Sequence, residues 1–418
     1  MFDNVNPEKP MIMHIDLNSA FATIEQQARP HLRGLPMGVT NRFSKECCVI
    51  AASYEAKALG IKVGTRRSDA IAICPKFVIL ESDPSKYRAV YFKLMAIMES
   101  YSPKIKMKSI DEGIIDFHGC EPILNGRTLV DIGYEIKQRV KDEIGDWMKI
   151  NIGISMNWFL AKQAASWHKP DGLDVIDQSN IEDYYKEMKL MDISGIAEKF
   201  AARLMANDIT TPIQFFHAKE QKLRKQVFQS VVGTYWHRRL RGYEVDDFAT
   251  HKGMVGRQWV VHKPTYKDDY LLPCFSVLCE TIGVKLRSKN LEARGICVQL
   301  RFQNGETFRE KRMYRSTFYT NQEVYKRALE QFNKRPSGAI VTQINIYTYQ
   351  LTASSRSQLG FFDDVQKIDD LTMAVDGINE KYGLFTVYSA ISLDGTKIVK
   401  QKIPFGGTEY FELLLKKS

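Results

Sequence analysis

Two short segments bring carboxylates to the ends of apolar runs. His14-Ile15-Asp16-Leu17 closes a run that begins at Met11, and Ser109-Ile110-Asp111-Glu112 closes one that begins near Lys106. Met11 to Leu17 reads as a strand that stops at Asn18-Ser19, both good helix starters. Lys106 to Glu112 alternates polar and apolar, meets Gly113 and goes on as Ile114-Ile115-Asp116-Phe117, which reads as a hairpin. Acids at strand ends on one sheet suit a two-Mg²⁺ phosphoryl-transfer site. Hard cations take oxygen ligands, and two of them clamp the attacking and leaving oxygens. Either segment alone is ordinary turn chemistry; the pair points to catalysis.

The rest of the chain must position these groups. At 418 residues it exceeds one compact core, so two to four domains are expected. No apolar run is long enough to span a bilayer, and Met1 to Lys9 has no basic-then-apolar leader pattern. A cytoplasmic protein with no membrane partner is expected. Its seven cysteines form no CxxC pair, which argues against a disulfide framework or a zinc site. The net charge of +10 is concentrated. Residues 251–350 hold 17 Lys and Arg against 8 Asp and Glu, while the remainder holds 42 against 41. A basic segment on a near-neutral remainder is the footprint of phosphate-backbone binding.

Along the chain, a strand and helix (9–27) precede a small unit (28–83). In that unit Cys48-Val49-Ile50-Ala51-Ala52 reads as a buried strand and Tyr54 to Gly60 as a short helix. A helix (84–103), the hairpin (105–117), a second amphipathic helix (127–145), a strand (149–155) and a third helix (157–168) complete one α+β domain around an antiparallel sheet. Residues 180–245 read as helical, with Ile193-Ser194-Gly195-Ile196-Ala197 as the turn of a helix-hairpin-helix that can aim N–H groups at a phosphate. Residues 253–350 run β-α-β-β-α-β, with Asn304-Gly305 as a hairpin turn. Arg301, Lys311, Arg312 and Arg315 lie on or beside those strands, so the open sheet face is expected to be basic. A tail from 351 to 418 contains one more amphipathic helix, with Ile368, Leu371, Val375, Ile378 and Tyr382 on one face.

Asp16-Leu17-Asn18-Ser19-Ala20-Phe21-Ala22, Ser53-Tyr54-Glu55-Ala56-Lys57 and Ser109-Ile110-Asp111-Glu112-Gly113 together resemble the metal and nucleotide motifs of the Y-family, lesion-bypass DNA polymerases, in their bacterial and phage-type form. Asn151-Ile152-Gly153-Ile154-Ser155 and Lys169-Pro170-Asp171-Gly172 follow in the family's order. The resemblance implies a right-hand α+β polymerase of several domains. Its antiparallel-sheet palm would be 9–27 and 84–175, its small fingers 28–83, its helical thumb 176–245 and its little finger 253–350. It implies low-fidelity, template-directed addition of deoxynucleotides to a primer, past damaged bases, by a monomer. Asp16 and Asp111 would bridge two Mg²⁺ ions, Glu112 would hold the ion at the primer 3′-hydroxyl, and the Leu17 carbonyl would complete the other. Tyr54, Lys57 and Lys169 would grip the triphosphate of a dNTP, and Phe21 would be the steric gate under the sugar. Primer-template DNA would meet the turn at Gly195 and the basic strands.

This chain departs from that pattern at four positions. Asn18 stands where many relatives have a second acid, and Lys57 where many have Arg, which loses a bidentate grip on phosphate. Ala197 replaces a glycine frequent in such turns. In the tail, Gln358-Leu359-Gly360-Phe361-Phe362 resembles the peptide that docks bacterial polymerases on the sliding clamp, with Phe361 where Leu is commoner. A nucleotidyl cyclase, or another two-metal nucleotidyl enzyme, could share such a palm. A DNA-binding accessory without catalysis could share the basic module. The intact acids argue against the accessory, and the basic module and clamp-like peptide against the cyclase.

Overall fold

A computed structural model describes residues 4–44, 47–247, 253–354 and 365–399. The chain divides into two compact units on either side of residue 248. In the first, β1 (Ile12–Leu17) leads into a helix, Ala20–Ala28. Strands β2 (Met37–Thr40), β3 (Ala51–Ala52) and β4 (Val78–Glu81) make a small sheet in the order β3-β2-β4, with β2 and β4 parallel. Strands β5 (Ile105–Met107), β6 (Glu112–Asp116), β7 (Ile150–Ser155) and β8 (Leu173–Val175) join β1 in a five-stranded sheet of order β5-β6-β1-β7-β8. All its pairs are antiparallel except β7 with β8.

The two faces of this sheet are built differently. Met13, Ile15 and Leu17 of β1, with Ile115, Ile150, Ile152 and Ile154, bury against Tyr91, Leu94, Ile132 and Ile136 of the helices Pro84–Glu99 and Leu129–Arg139. The residues between them point to the other face, as the period of two requires. There the helix Trp158–Trp167 lies close. A Cβ on Gly153 of β7 would sit 2.0 Å from the Ala161 carbonyl oxygen and 2.2 Å from the Ala165 nitrogen. Only glycine allows that backbone-to-backbone approach.

Three local expectations are corrected. Gly113 is not the hairpin turn: it lies inside β6, and the chain reverses at residues 108–111, where the Lys108 and Ser109 amides both donate to the Glu112 carbonyl at 2.9 and 3.2 Å. A side chain at 113 would collide with Met98 and Met107. The strand expected over 48–52 is regular only at Ala51–Ala52. Ser19 precedes the first helix in a left-handed conformation, φ 48°, and its hydroxyl does not cap it.

Residues 181–240 are helical, in short segments around an apolar core that includes Leu204, Phe215, Phe228 and Trp236. Gly195, at φ +94°, turns the chain between Leu190–Asp192 and the helix Glu198–Met205. Its neighbour Ser194 donates its amide to Gln163 Oε1 at 3.0 Å, tying the turn to Trp158–Trp167.

The second unit has the expected β-α-β-β-α-β order: β9 (Met254–Thr265), a helix Asp268–Ser288, β10 (Leu291–Phe302), β11 (Thr307–Phe318), a helix Asn321–Phe332 and β12 (Val341–Ala353). The antiparallel sheet runs β11-β10-β12-β9. Ile296, Val298, Leu300, Ile344 and Ile346 pack against the helices through Phe275, Leu278, Ile282 and Phe332. The tail helix Val365–Tyr382 returns to this unit by its polar side. Arg287 donates to both oxygens of Asp376 at 2.6 and 2.7 Å, Tyr319 donates to Asp369, and Asn379 exchanges two bonds with Val387. The apolar stripe read from its sequence faces outward: Leu371 is 66% exposed and Tyr382 65%.

Candidate active site

The register of the central sheet assembles the acids. Asp16 on β1 lies directly opposite Glu112 on β6, so both side chains leave the same face. The ladder continues one step, with the Leu17 amide donating to the Asp111 carbonyl at 2.8 Å. Ser109 Oγ donates to the Asp111 carboxylate. The carboxyl of Asp111 is pushed up by burial, and the charges of Asp16 and Glu112 add to this against the Ser109 bond. Glu112 goes the other way. Burial alone would raise it, but His14 and Lys162 outweigh burial and draw it down to about 2.

Neither His14 nor Lys162 was singled out by sequence reasoning. His14 shares the face of Asp16, two residues back, and is buried; its Nε2 lies 3.3 Å from a Glu112 oxygen without hydrogen-bond geometry. Lys162, from the middle of the helix Trp158–Trp167, reaches both Glu112 oxygens at 3.0 and 2.7 Å. A lone lysine in Phe159-Leu160-Ala161-Lys162-Gln163-Ala164-Ala165, a segment otherwise suited to burial, was the signal available.

The expected triphosphate residues gather around Asp16. Lys169 Nζ is 2.9 Å from Asp16 Oδ1. Lys57 Nζ donates to Ser19 Oγ at 2.7 Å and lies 4.6 Å from the centre of the Tyr54 ring. Burial and the charge of Lys169 lower the Lys57 ammonium, against the pull of Asp16. Burial and Asp16 push the Tyr54 hydroxyl up to about 12, so it stays a proton donor at neutral pH. Asn18, the departure from the acidic pattern, has a positional task. It donates to Asn151 Oδ1 at 2.8 Å and accepts from the Asp171 amide at 2.9 Å, and Asn151 in turn donates to the His168 carbonyl at 3.1 Å. These bonds hold the loop that carries Lys169. An ionised aspartate at 18 has no N–H to give Asn151.

Phe21 is 7% exposed and stacks on Tyr87, ring centres 4.4 Å apart and planes 13° apart. The Tyr87 hydroxyl donates to Glu25 at 2.9 Å; Glu25 is buried and also pairs with Lys86 and Arg29. Glu25 is thus a buried carboxylate, paired with two partly exposed cations, between the helices Ala20–Ala28 and Pro84–Glu99.

The donor set fits a hard divalent cation. Asp16 and Glu112 lie side by side at one end of the neighbouring strands β1 and β6, with Asp111 next to them, pushed up by burial and by their two charges, and oxygen ligands of this kind suit Mg²⁺. Donor atoms of His14, Asp16 and Glu112 lie within 4.8 Å of one another.

In the second unit the basic residues separate by strand parity. Arg301 pairs across from Thr307, and Lys311 from Cys297, on the face away from the helices, beside Arg309, which donates to the Tyr347 hydroxyl at 2.7 Å. Arg312 pairs across from buried Ile296 on the helix side and binds Glu330 at 3.3 Å. It is therefore not part of the open face with Lys311, as the sequence reading had it. Arg315 is exposed. Gln358, Leu359, Phe361 and Phe362 lie outside the described residues.

The family model described as impB/mucB/samB matches residues 15–166, and that family's C-terminal domain matches residues 255–361. A DNA polymerase IV of Pelotomaculum thermopropionicum is 26% identical over 397 residues, covering 94% of this chain and 97% of that one. One from Bacillus anthracis is 26% identical over 384 residues, covering 90% and 91%. Among solved structures, the Y-family DNA polymerase chimera Dbh-Dpo4(243-245)-Dbh is similar with a TM-score of 0.68 at 22% identity, over 81% of this chain and 98% of that one. The insertion ternary complex of Dbh DNA polymerase has a TM-score of 0.57 over the same shares. At that identity these two structures bear on the fold, which they share as a multidomain α+β architecture.

Proposed function

The chain belongs to the impB/mucB/samB family, the Y-family DNA polymerases, and we propose from this that the acids at the ends of β1 and β6 serve the addition of deoxynucleotides to a primer 3′-hydroxyl, directed by a template strand, in translesion synthesis. The observation that carries the reading is Asp16 opposite Glu112 with Asp111 one step on, ringed by Lys57, Lys162 and Lys169. Acids for divalent metal beside lysines for phosphate is the composition that phosphoryl transfer needs. Asp16, Asp111 and Glu112, with the Leu17 carbonyl, would hold two Mg²⁺ ions, which supply charge stabilisation for the attacking and leaving oxygens.

The chain's own residues do the rest. Tyr54, Lys57 and Lys169 hold the triphosphate, lysine acting as a point charge. Phe21 lies under the sugar. Residues 9–27 and 84–175 act as palm, 28–83 as fingers, 176–245 as thumb and 253–350 as little finger. Gln358 to Phe362 dock on a sliding clamp, a reading that rests on sequence. The test is primer extension with Mg²⁺ and one dNTP at a time, on intact and on base-less templates. Template-matched addition on the intact template together with extension past the base-less position supports the reading; no extension on either rejects it.

The open face of the second unit supplies the grip on DNA through Arg301, Arg309 and Lys311, and exposed Arg315 adds to it. Neutralising Arg301 and Lys311 together is expected to weaken primer-template binding alike for all sequences. The slope of log K against log salt falls by about 0.9 for each phosphate that the protein no longer neutralises. Arg312→Ala, on the helix side, is expected to leave that slope as it was. Salt titration of binding in the three proteins checks this, and an unchanged slope in the double variant places Arg301 and Lys311 away from the DNA.

A further inference from the structure

Glu112 is claimed twice. As a metal ligand it must offer carboxylate oxygen to a divalent cation, yet a cation of the protein already spans both its oxygens, Lys162 at 3.0 and 2.7 Å. Lys169 stands in the same relation to one oxygen of Asp16, at 2.9 Å. Lys169 has a second task in gripping phosphate; Lys162 has none so far. Its root is fixed, because the helix that carries it is pressed onto β7 at Gly153, where a Cβ would sit 2.0 Å from the Ala161 carbonyl oxygen. The lysine cannot withdraw by a shift of its helix. It can only swing its four-carbon stem away, and its side chain is 40% exposed, so that swing is open.

We propose that Lys162 is the built-in counter-ion of Glu112, which holds the carboxylate in place in the resting protein and which a divalent cation must displace. This deepens the metal-site reading given above and rests on it. Lysine and metal compete for the same two oxygens, and a displaced ammonium nearby still repels the ion. Lys162 therefore keeps divalent affinity low in the resting site. Nucleotide phosphates, arriving with their own negative charge, tip the balance toward the metal. Lys162 is a positioning residue and touches no reacting atom.

The experiment is equilibrium binding of Mn²⁺ to the full chain without DNA or nucleotide, read as free Mn²⁺ by electron paramagnetic resonance. Lys162→Met keeps the stem and removes the charge; it is expected to bind Mn²⁺ about tenfold more tightly than the parent, a shift of ~1.4 kcal/mol. Lys162→Gln is expected to match it, so a folding defect in one variant leaves the other to decide. Lys162→Arg keeps the charge and is expected to stay near the parent. A purely structural lysine would not sort the three by charge. If the neutral variants bind Mn²⁺ no more tightly than the parent and Lys162→Arg, the inference is overturned. Glu112→Gln separates the two readings. If it leaves Mn²⁺ binding unchanged, the metal-site assignment itself fails; if it weakens binding while Lys162→Met does not tighten it, only the counter-ion role falls.

Discussion

Asp111→Asn and Glu112→Gln are each expected to lower nucleotide addition by on the order of 10³-fold while leaving DNA affinity nearly unchanged. Fixed charge aimed at the transition state is commonly worth ~3–4 kcal/mol, whereas affinity is expected to come from the phosphate contacts proposed for the second unit. The pair should part company in stability. Asp111 is pushed up by burial, with Asp16 and Glu112 adding to it, so its ionised form costs the folded state at neutral pH. Asp111→Asn removes that cost, and without divalent metal the melting temperature is expected to rise. Glu112 is held at about 2 against its ordinary 4.5, because His14 and Lys162 outweigh burial. A carboxyl depressed on folding contributes stability above its unfolded value, and loses it as pH falls toward the folded one. Glu112→Gln is therefore expected to melt lower at neutral pH, with the gap to the parent closing as pH drops from about 5 toward 2. Single-turnover extension and melting curves in chelator check both halves. Near-parent extension by either variant refutes the metal-site assignment.

Phe21→Ala is expected to admit ribonucleotides. The ring is clamped on its far side by Tyr87, stacked at 4.4 Å, and Tyr87 is itself fixed by its bond to buried Glu25. A ring that cannot recede makes a wall, and a wall beneath the sugar leaves no room for a 2′-hydroxyl. Relief of a clash worth ~3–4 kcal/mol raises ribonucleotide insertion by about 10² to 10³, at ~1.4 kcal/mol for each tenfold. Deoxynucleotide insertion survives, since neither the acids nor the triphosphate lysines are touched. Truncating a buried phenylalanine costs stability, commonly ~3–5 kcal/mol, so Phe21→Leu serves as a milder companion with a smaller change in the same direction. The ratio of kcat/KM for a dNTP and its matching rNTP decides. If it does not move in folded variants, Phe21 serves the core alone.

Much of this arrangement was legible because it is local. Alternation marks β1 and β12, the run 149–155 reads as the strand β7, and Asn304-Gly305 marks the turn between β10 and β11. What escaped depends on distant partners. Met37–Thr40 and Leu173–Val175 are short and pair in parallel with strands that intervening helices separate from them in sequence, so nothing in their own pattern announces them. Gly113 resembles a turn glycine, yet its smallness serves Met98 and Met107 above it. Lys311 and Arg312 were read as one patch, although neighbours on a strand must face opposite ways. The acids are legible as acids; the groups that balance Glu112, Lys162 from a helix fifty residues on and the buried His14, come near only through the fold.

The outward stripe on Val365–Tyr382 leaves the second unit bound in two manners. Its sheet and two helices cohere by apolar burial, and Phe385, Ile398 and Val399, beyond the tail helix in sequence, join that core. The intervening helix is fastened by Arg287 to Asp376 and by Tyr319 to Asp369. Salt weakens charged fastenings, least where they are shielded from water, and spares the greasy ones. The helix is thus expected to open before the rest of this unit, as a separate cooperative piece. Ionic strength is therefore expected to act on the unit twice: the salt that would loosen nucleic acid from the open face proposed for it also slackens the helix fastened to Arg287 and Tyr319.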